Sequence, residues 1–362
     1  MRQLLFIALC CCLNCAFGEG GLNYWKIENS YQRIYVLEVN PKLCRMEIAR
    51  ASDNGIGRES LVSIAKRKGA KGAVNAGFYH EGGLMDGLSK GALKTREWVS
   101  LPRKARGAIG WNPLSSSIHF DLLTVSAEVV IDRTPYPISG LNRNRKTGEA
   151  IVFTPSFHKT TLTNPAGTEI LVEGGKIREI LLGKGSTNIP ENGWILSIDK
   201  HCKEHFPVEK GESAEIAFSL DLKLRPEDAS LWSSFDYIVG GAGLLIYEGE
   251  IISDHSIENI TIESFITTPH ARSAVGLLPN GHLLFVLVEK TGPFDGMHLD
   301  ALTQFFTLFG CTHALNLCGG ESASLVYEGE VKNSTFGEEK EQGAWIRRVS
   351  DAILFFPEKS KL

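Results

Sequence analysis

The segment MHLDALTQFFTLFGCTHALNLCGGES (residues 297–322) combines a helical pattern, a strand pattern and a glycine turn. Its first half places apolar side chains on one helix face, because they recur at helical spacing: Leu299, Leu302, Phe305, Phe306 and Phe309. Asp300 suits the positive end of the helix dipole, and Gly310 is placed to end the helix. The pattern therefore predicts a helix with one face packed on a core.

A short apolar strand is predicted directly after this helix. Period-two alternation puts Ala314, Asn316 and Cys318 on one face of the strand. The strand runs into Gly319-Gly320, where the backbone can turn sharply or approach a ligand closely. This order of helix, strand and polar glycine turn indicates a site without naming its chemistry.

The composition of the whole chain is that of an ordinary globular protein. Its 362 residues are enough for one large domain or two, and 22% of them are charged. A formal net charge of −4 argues against a nucleic-acid-binding surface and a polybasic membrane surface. Beyond the N-terminus, no stretch approaches the roughly 20 apolar residues that span a bilayer. We therefore predict no nucleic-acid partner and no transmembrane segment.

The N-terminus predicts export. Met1-Arg2 precedes a short apolar run, and Ala16-Phe17-Gly18 offers small residues two apart, as a signal peptidase prefers. We interpret residues 1–18 as a signal peptide and expect a periplasmic or secreted protein. Lipid attachment at Cys12 or Cys15 is a less favoured alternative, because neither cysteine follows a good lipobox. A short buried helix is the other alternative.

Four cysteines remain beyond that peptide, and they are Cys44, Cys202, Cys311 and Cys318. An exported chain permits disulfides without requiring them, and four cysteines allow three pairings. A bridge between Cys311 and Cys318 is one alternative, which needs Cα atoms closer than roughly 7 Å. No CxxC pair or Cys/His cluster has zinc spacing, and the residues around His201 indicate a solvated loop. The sequence predicts no metal and no cofactor.

The rest of the chain consists mainly of short strand patterns bounded by turn residues. These patterns lie at 33–39, 46–49, 71–79, 149–154, 170–172, 177–181, 237–246 and 282–288. A second helix is predicted from Glu59 to Lys68, with Gly69 ending it. No fixed-period repeat or low-complexity linker stands out, so we predict one intertwined domain over residues 19–362. Many strands and two helices indicate an α+β fold, with mixed, mostly antiparallel sheets and a few packed helices.

Four motifs occur in a specific order along the chain. They are Asn75-Ala76-Gly77-Phe78-Tyr79, Asn142-Arg143-Asn144-Arg145, His270-Ala271-Arg272-Ser273-Ala274-Val275-Gly276 and Ala314-Leu315-Asn316-Leu317-Cys318-Gly319-Gly320-Glu321-Ser322. The first, taken alone, is compatible with an ordinary strand-end turn. Together they resemble the phosphodiester glycosidase family, whose animal member uncovers mannose 6-phosphate tags on lysosomal enzymes. Bacterial members are mostly uncharacterised envelope or exopolysaccharide-associated proteins, and the resemblance is clearest over residues 72–356.

The resemblance implies a set of site residues. The implied catalytic residues are Glu289, Glu321 and Arg272. The implied substrate-binding residues are Asn75, Gly77, Asn316, Gly319, Gly320, Ser322 and Arg347. Guanidinium groups suit a phosphate because they offer a bidentate charged fork, and amides suit sugar hydroxyls. The competing interpretations are ion pairs for the arginines and strand-end capping for the asparagines. Glu81 and Asp86, on the loop after Asn75, are weaker candidates.

One departure from the family pattern affects the predicted activity. The family signature reads Asn-Leu-Asp-Gly-Gly-Gly-Ser-Ser, whereas here Cys318 stands at the Asp position and Glu321 at the third Gly. A thiol replaces a carboxylate as an acceptor at neutral pH only when its pKa is strongly lowered. Cys318 can equally be a small buried apolar residue. Glu321 restores a negative charge, but across a glycine turn its position is open.

The resemblance implies an exported glycosidase-type hydrolase that cleaves a sugar-1-phosphodiester or related glycosidic linkage in an envelope glycan. Its partner would be a carbohydrate or sugar-phosphate substrate. The alternative is a non-catalytic glycan-binding or envelope protein that kept the fold and lost the acid at Cys318. We also predict that Asn75, Arg272, Glu289, Asn316, Glu321 and Arg347 converge on one cleft, because strand ends with glycine turns present polar groups together.

Overall fold

The computed structural model describes residues 20–358 except positions 54, 116, 204, 336 and 338. The signal-peptide interpretation, with Cys12 and Cys15, falls outside the described residues. The described residues form four α-helices: α1 (Leu61–Lys68), α2 (Ala229–Ser233), α3 (Glu263–Thr267) and α4 (Leu299–Leu308). None of these helices is long and apolar enough to cross a membrane.

Short antiparallel strands make up most of the fold. Those before residue 160 are β1 (Leu22–Glu28), β2 (Arg33–Val39), β3 (Cys44–Arg50), β4 (Gly72–Asn75), β5 (Phe78–Tyr79), β6 (Ser89–Lys90), β7 (Leu93–Thr95), β8 (Glu97–Ser100), β9 (Arg106–Trp111), β10 (Ile118–Ile131), β11 (Thr134–Pro137), β12 (Gly140–Leu141) and β13 (Ala150–Phe153). The later ones are β14 (Gly167–Glu173), β15 (Lys176–Leu182), β16 (Gly193–Asp199), β17 (Ala214–Leu222), β18 (Tyr237–Gly240), β19 (Leu244–Tyr247), β20 (Glu250–Ile251), β21 (Arg272–Leu277), β22 (Leu283–Val288), β23 (His313–Asn316), β24 (Leu325–Tyr327), β25 (Glu330–Val331), β26 (Glu339–Glu341), β27 (Ala344–Ile346) and β28 (Asp351–Pro357).

Four larger sheets arrange these strands. Sheet I has the order β1-β2-β22-β21-β23-β19-β20, and sheet II has the order β11-β10-β9-β18-β7-β8, with β17 also paired to β10. Sheet III has the order β12-β13-β16-β14-β15, and sheet IV has the order β25-β24-β4-β28-β3. Within them β12 and β13 pair in parallel, while the other registered pairs run antiparallel. The fold is α+β, as predicted.

One apolar core joins sheets I, II and IV. Its buried side chains come from all three, including Val275 and Leu315 of sheet I, Ile109 of sheet II, and Val74 and Phe355 of sheet IV. A second core joins sheets II and III. The outer face of sheet I is covered by α4, whose Leu299, Leu302 and Phe306 are fully buried. Sheet I is therefore buried on both faces, which explains the continuous apolar run of β22.

The two helices predicted from spacing are present with the expected end signals. The Ser60 hydroxyl caps α1 by accepting from Ser63 N at 3.1 Å, and Gly69 ends it with φ of 70°. His298 caps α4 through Nδ1, which accepts from Ala301 N at 3.2 Å. Gly310 follows that helix with φ of 73°, a backbone region that favours glycine.

Two strand predictions need correction. The apolar run 237–246 is not one strand: it divides into β18 of sheet II and β19 of sheet I. Gly240 ends β18 and Gly241 follows it, and the chain passes so close to its neighbours that a Cβ would meet Ala92 N at 2.9 Å and Asn316 O at 2.3 Å, respectively. The strand after α4 ends at Asn316, so Cys318 does not continue its face. Cys311 and Cys318 are both free thiols in this structure.

Candidate active site

The amide of Asn75, at the end of β4, connects three distant segments. Its Nδ2 donates to the carbonyl of Cys318 at 2.6 Å, and its Oδ1 accepts from Ser273 Oγ at 2.6 Å and Ser324 N at 3.0 Å. The residue is buried. These bonds satisfy the amide with protein partners, so the immediate effect of Asn75 is to hold the turn after β23 against β4.

Gly77 brings the backbone against a buried carboxylate, Asp351. Gly77 N donates to Asp351 Oδ1 at 2.6 Å, and a Cβ on Gly77 would lie 3.2 Å from that oxygen. Asp351 also accepts from Ser350 Oγ at 2.5 Å and Ser89 Oγ at 3.3 Å. Burial raises the pKa of Asp351, while these hydrogen bonds oppose the rise.

Sequence analysis did not single out Asp351 as a site residue. It begins the apolar strand Asp351–Pro357, and although Ser350 is adjacent in sequence, its partners Gly77 and Ser89 come from distant positions. An acidic residue at the start of an otherwise apolar central strand is the one signal that could have found it.

The Cys318 thiol is buried beside this carboxylate. Burial raises the pKa of Cys318 to about 12, the charge of Asp351 adds to the rise, and a hydrogen bond with Ser322 opposes it. The thiol is therefore protonated at neutral pH and has no carboxylate-like charge. The Ser322 hydroxyl in turn bonds the Tyr79 hydroxyl at 2.8 Å. Tyr79 also donates to the carbonyl of Arg348 at 3.0 Å, and burial raises its pKa to about 12.

Glu289 and Glu321 line one cavity of about 220 Å³, which we call the carboxylate cavity. Its other lining residues include His270, Ala271, Lys290, Gly320 and Asn333. Glu289 is buried at the end of β22 and accepts from Tyr35 Oη at 2.7 Å, Arg33 Nη1 at 3.4 Å and the Thr291 hydroxyl. These donors hold the carboxylate in one orientation.

Glu321 is the more exposed of the two acids and is paired with Arg347. Its Oε2 lies 2.6 Å from Arg347 Nη1, which is also 3.3 Å from Glu81 Oε1. The ion pair brings Arg347 to the rim of the carboxylate cavity. It also means that a substrate phosphate would compete with two carboxylates for this guanidinium.

Arg272 lies on the other face of sheet I from Asn75. Its neighbour Ser273 bonds Asn75, and successive strand residues point to opposite faces. The Arg272 guanidinium donates to the carbonyls of Met297 at 2.9 Å and Phe265 at 2.7 Å. Burial lowers the pKa of Arg272 to about 10, so it stays charged at neutral pH. In this position it supports the segments around α3 and α4.

Asn316 shares that outer face, since it pairs with Ala274 of β21. Its Nδ2 donates to the carbonyls of Ala242 at 2.9 Å and Leu317 at 3.1 Å. Its Oδ1 is buried and has no hydrogen-bond partner among the described residues. The side chain therefore holds residues 241–243, which connect β18 to β19, through the carbonyl of Ala242.

The glycine turn passes close to the start of β21. Gly320 N donates to the carbonyl of Ala271 at 2.7 Å, and a Cβ on Gly319 would lie 2.6 Å from the same oxygen. Gly319 is thus required by close backbone approach. Gly320 has a φ of 62°, a backbone region that favours glycine. After it, Glu321 lines the carboxylate cavity, whereas Ser322 bonds Tyr79.

The structure therefore brings together part of the predicted set. Glu289, Glu321 and Gly320 line the carboxylate cavity, Arg347 joins through Glu321, and Gly319 forms the turn itself. Asn75, Gly77 and Ser322 belong to the adjoining network that contains Tyr79, Cys318 and Asp351. Arg272 and Asn316 lie on the outer face of sheet I instead. Within the described part of the chain, no group of three or more His, Cys, Asp or Glu side chains could hold a metal ion.

A family model described as phosphodiester glycosidase matches residues 166–356, more than half of the chain. The chain belongs to the phosphodiester glycosidase family. No curated protein matches it.

Solved structures of other members of this fold superpose over most of the chain. A hypothetical protein from Synechocystis has a TM-score of 0.77 and 22% identity, covering 93% of this chain and 62% of its own. A Burkholderia pseudomallei K96243 protein, named as exported, has a TM-score of 0.72 and 15% identity, covering 90% and 74%. At these identities the likeness shows the fold alone.

The catalytic domain of zebrafish N-acetylglucosamine-1-phosphodiester alpha-N-acetylglucosaminidase, auto-inhibited by its pro-peptide, also matches. Its TM-score is 0.47 and its identity 15%, covering 94% of this chain and 84% of its own.

Proposed function

We propose that the chain is a glycosidase-type hydrolase that cleaves a sugar-1-phosphodiester or related glycosidic linkage in an envelope glycan. The observation that carries this proposal is the carboxylate cavity, where Glu289 and Glu321 face one space at the glycine turn of the family motif. Two carboxyl groups at one cavity are the equipment that glycoside hydrolysis requires.

The proposed reaction adds water to the anomeric carbon and breaks its bond to the phosphate oxygen. The departing phosphate monoester has a second pKa near ~6, so it leaves with little help from a general acid. The oxocarbenium-like transition state needs a carboxylate near the anomeric carbon. We assign this stabilising role to the fixed Glu289, and assign to Glu321 the acceptance of the proton from water.

An assay of the purified chain on an N-acetylglucosamine-1-phosphodiester, such as UDP-N-acetylglucosamine, tests this proposal through release of the free sugar. Glu289→Gln and Glu321→Gln are expected to lower kcat by about 10²–10⁴-fold, as for loss of an acid–base group. Glu250→Gln, an exposed glutamate outside the cavity, is the matched control and keeps full activity. Turnover that survives both cavity substitutions would refute the assignment.

A second function is favoured by one observation, the buried and protonated thiol of Cys318. Without the acid of the family signature, the fold would serve as a non-catalytic glycan-binding protein. Retained binding of the sugar phosphodiester by calorimetry, with no sugar released over long incubation, would select this function. Export is part of both functions and rests on residues 1–18, and sequencing the N-terminus of the mature protein tests it.

A further inference from the structure

A second cavity, of about 420 Å³, lies beside the β5–β6 hairpin, and we call it the basic cavity. Its lining includes the basic side chains of His80, Lys90, Arg103, Lys104, Arg106 and Arg143. None of the described residues that line it is acidic. This concentration of positive charge is unusual in a chain whose formal net charge is −4.

Some of these cations already have partners. Arg143 forms a bidentate ion pair with Glu149. Its Nη1 donates to Glu149 Oε2 at 2.6 Å and its Nη2 donates to Glu149 Oε1 at 3.0 Å. Arg106 donates to the carbonyl of Glu258, and Lys104 Nζ lies 3.4 Å from Asn259 Oδ1. Of these three side chains, Arg143 forms an ion pair with an acid in the described part of the chain. The groups that accept from Arg106 and Lys104, a carbonyl and an amide oxygen, are uncharged.

Lys90 and Arg103 are two exposed cations of the cavity that form no close contact with an acid in the described part of the chain, although the charge of Arg103 acts on Glu149 from a longer distance. Neither side chain has a hydrogen-bond or ion-pair partner in the described part of the chain. Both act on His80, whose pKa is lowered first by partial burial and then by the charges of Lys90 and Arg103. The cavity therefore places both cations near His80, and an anion bound there would be attracted by both charges.

The basic cavity is joined to the candidate active site through the same hairpin. Lys90 pairs with Phe78 and Ser89 with Tyr79 across β5 and β6. Ser89 lines the cavity and donates to Asp351, which in turn accepts from Gly77. Tyr79, on the opposite strand, bonds Ser322 of the glycine turn. The hairpin therefore contacts both the basic cavity, through Ser89 and Lys90, and the network that holds the glycine turn, through Tyr79.

We propose that the basic cavity is a phosphate-binding subsite, with Lys90 and Arg103 as its principal ligands for the phosphate-bearing part of the substrate. The inference rests on the proposed function, in which the sugar occupies the carboxylate cavity. The two arginines suggested by sequence, Arg272 and Arg347, are engaged with backbone carbonyls and with carboxylates. Lys90 and Arg103 instead form no ion pair among the described residues, and they offer a point charge and a planar fork that both suit phosphate.

The first test is direct binding, which does not depend on turnover. Inorganic phosphate and methyl phosphate are titrated into the full chain and followed by calorimetry and ³¹P NMR. Lys90→Met and Arg103→Gln should each weaken binding by about tenfold, as for loss of one charge-assisted hydrogen bond. Lys184→Met, at an exposed lysine outside the cavity, changes the net charge equally and should leave binding unchanged.

The second test is kinetic and uses the same variants on the sugar phosphodiester. We expect a higher KM with kcat little changed, because the subsite holds the substrate and does no chemistry. Equal phosphate affinity in the wild type and the Lys90→Met/Arg103→Gln double variant would overturn the subsite. Binding lost in the variants of a chain that shows no turnover would support the subsite and refute the hydrolase. Turnover with unchanged KM in the double variant would refute the subsite and leave the hydrolase standing.

Discussion

At the scale of single residues, Cys318 is the position that separates the two proposed functions. Its thiol lies in a buried network with Ser322 and Tyr79, and the charge of Asp351 acts on it. A carboxylate at this position would therefore meet both burial and a neighbouring acid, each of which favours its protonated form. The environment in this chain is adapted to a neutral side chain.

We expect Cys318→Asp to destabilise the fold at pH 8 by several kcal/mol, because it buries a charge beside Asp351. The new carboxyl would have a folded-state pKa above its unfolded value of about 3.9. The folded state then binds more protons, so stability falls as pH rises between these two pKa values and recovers at low pH. Urea unfolding at pH 5 and pH 8 measures this difference.

Cys318→Ser is the matched control, since it keeps a small neutral side chain and should show little of this pH dependence. A Cys318→Asp variant that is as stable at pH 8 as at pH 5, with increased turnover, would contradict the prediction. It would show instead that the position still accepts the acid of the family signature.

At the scale of elements, the packing of α4 on sheet I positions the glycine turn. Phe306 is fully buried against Gly276 of β21, where an added Cβ would lie 2.5 Å from the phenylalanine ring. The helix leads through Cys311 into β23, and β23 leads to Gly319. A loss of contact between α4 and sheet I should therefore lower the free energy of unfolding and also change the position of the glycine turn.

Phe306→Ala is expected to lower the free energy of unfolding by about 3–5 kcal/mol, through lost transfer energy and a cavity. Leu308→Ala, two positions along on the solvent side of α4, is the control because Leu308 is 48% exposed. It should change stability by less than about 1 kcal/mol. Chemical denaturation of both variants measures the two changes in the free energy of unfolding. Equal changes would mean that α4 is not packed on sheet I as described.

At the scale of the whole molecule, sheet IV joins the C-terminal strand of the described chain to strands from its first 75 residues. β28 lies between β3 and β4, and its register pairs Ile353 with Ile48 on one side and Val74 on the other. The same strand supplies Asp351, which binds Gly77 from 274 positions away in sequence. The Asp351–Gly77 contact of the site therefore exists only when β28 is in place.

A chain ended after Val349 is expected to lose cooperative unfolding, because β28 is central in its sheet and its apolar side chains are buried. A chain ended after Glu358 keeps the whole strand and should melt like the full protein. Circular dichroism and size-exclusion chromatography of the two chains provide the comparison. A cooperative transition in the shorter chain would show that sheet IV is dispensable.

Local spacing was enough to predict the helices Leu61–Lys68 and Leu299–Leu308, several strands such as Arg33–Val39 and Leu283–Val288, and the α+β class. The ordered motifs were enough to indicate the family. Hydrophobic periodicity and helix-end signals involve residues a few positions apart, so they can be recognised in the sequence without knowledge of the fold. The same reasoning explains the error at 237–246, where an apolar run hides a change of sheet that depends on close contacts with Ala92 and Asn316.

Only the tertiary structure decided which polar groups share a site. Asn75 meets Cys318 across 243 positions, Arg272 and Ser273 point to opposite faces of one sheet, and Asp351 enters the network from the last strand. Strand pairing and register determine these contacts, and neither can be deduced from the neighbours of a residue in sequence. The basic cavity arises in the same way, because folding brings Lys90 and Arg103 to one space that no acidic side chain of the described residues lines.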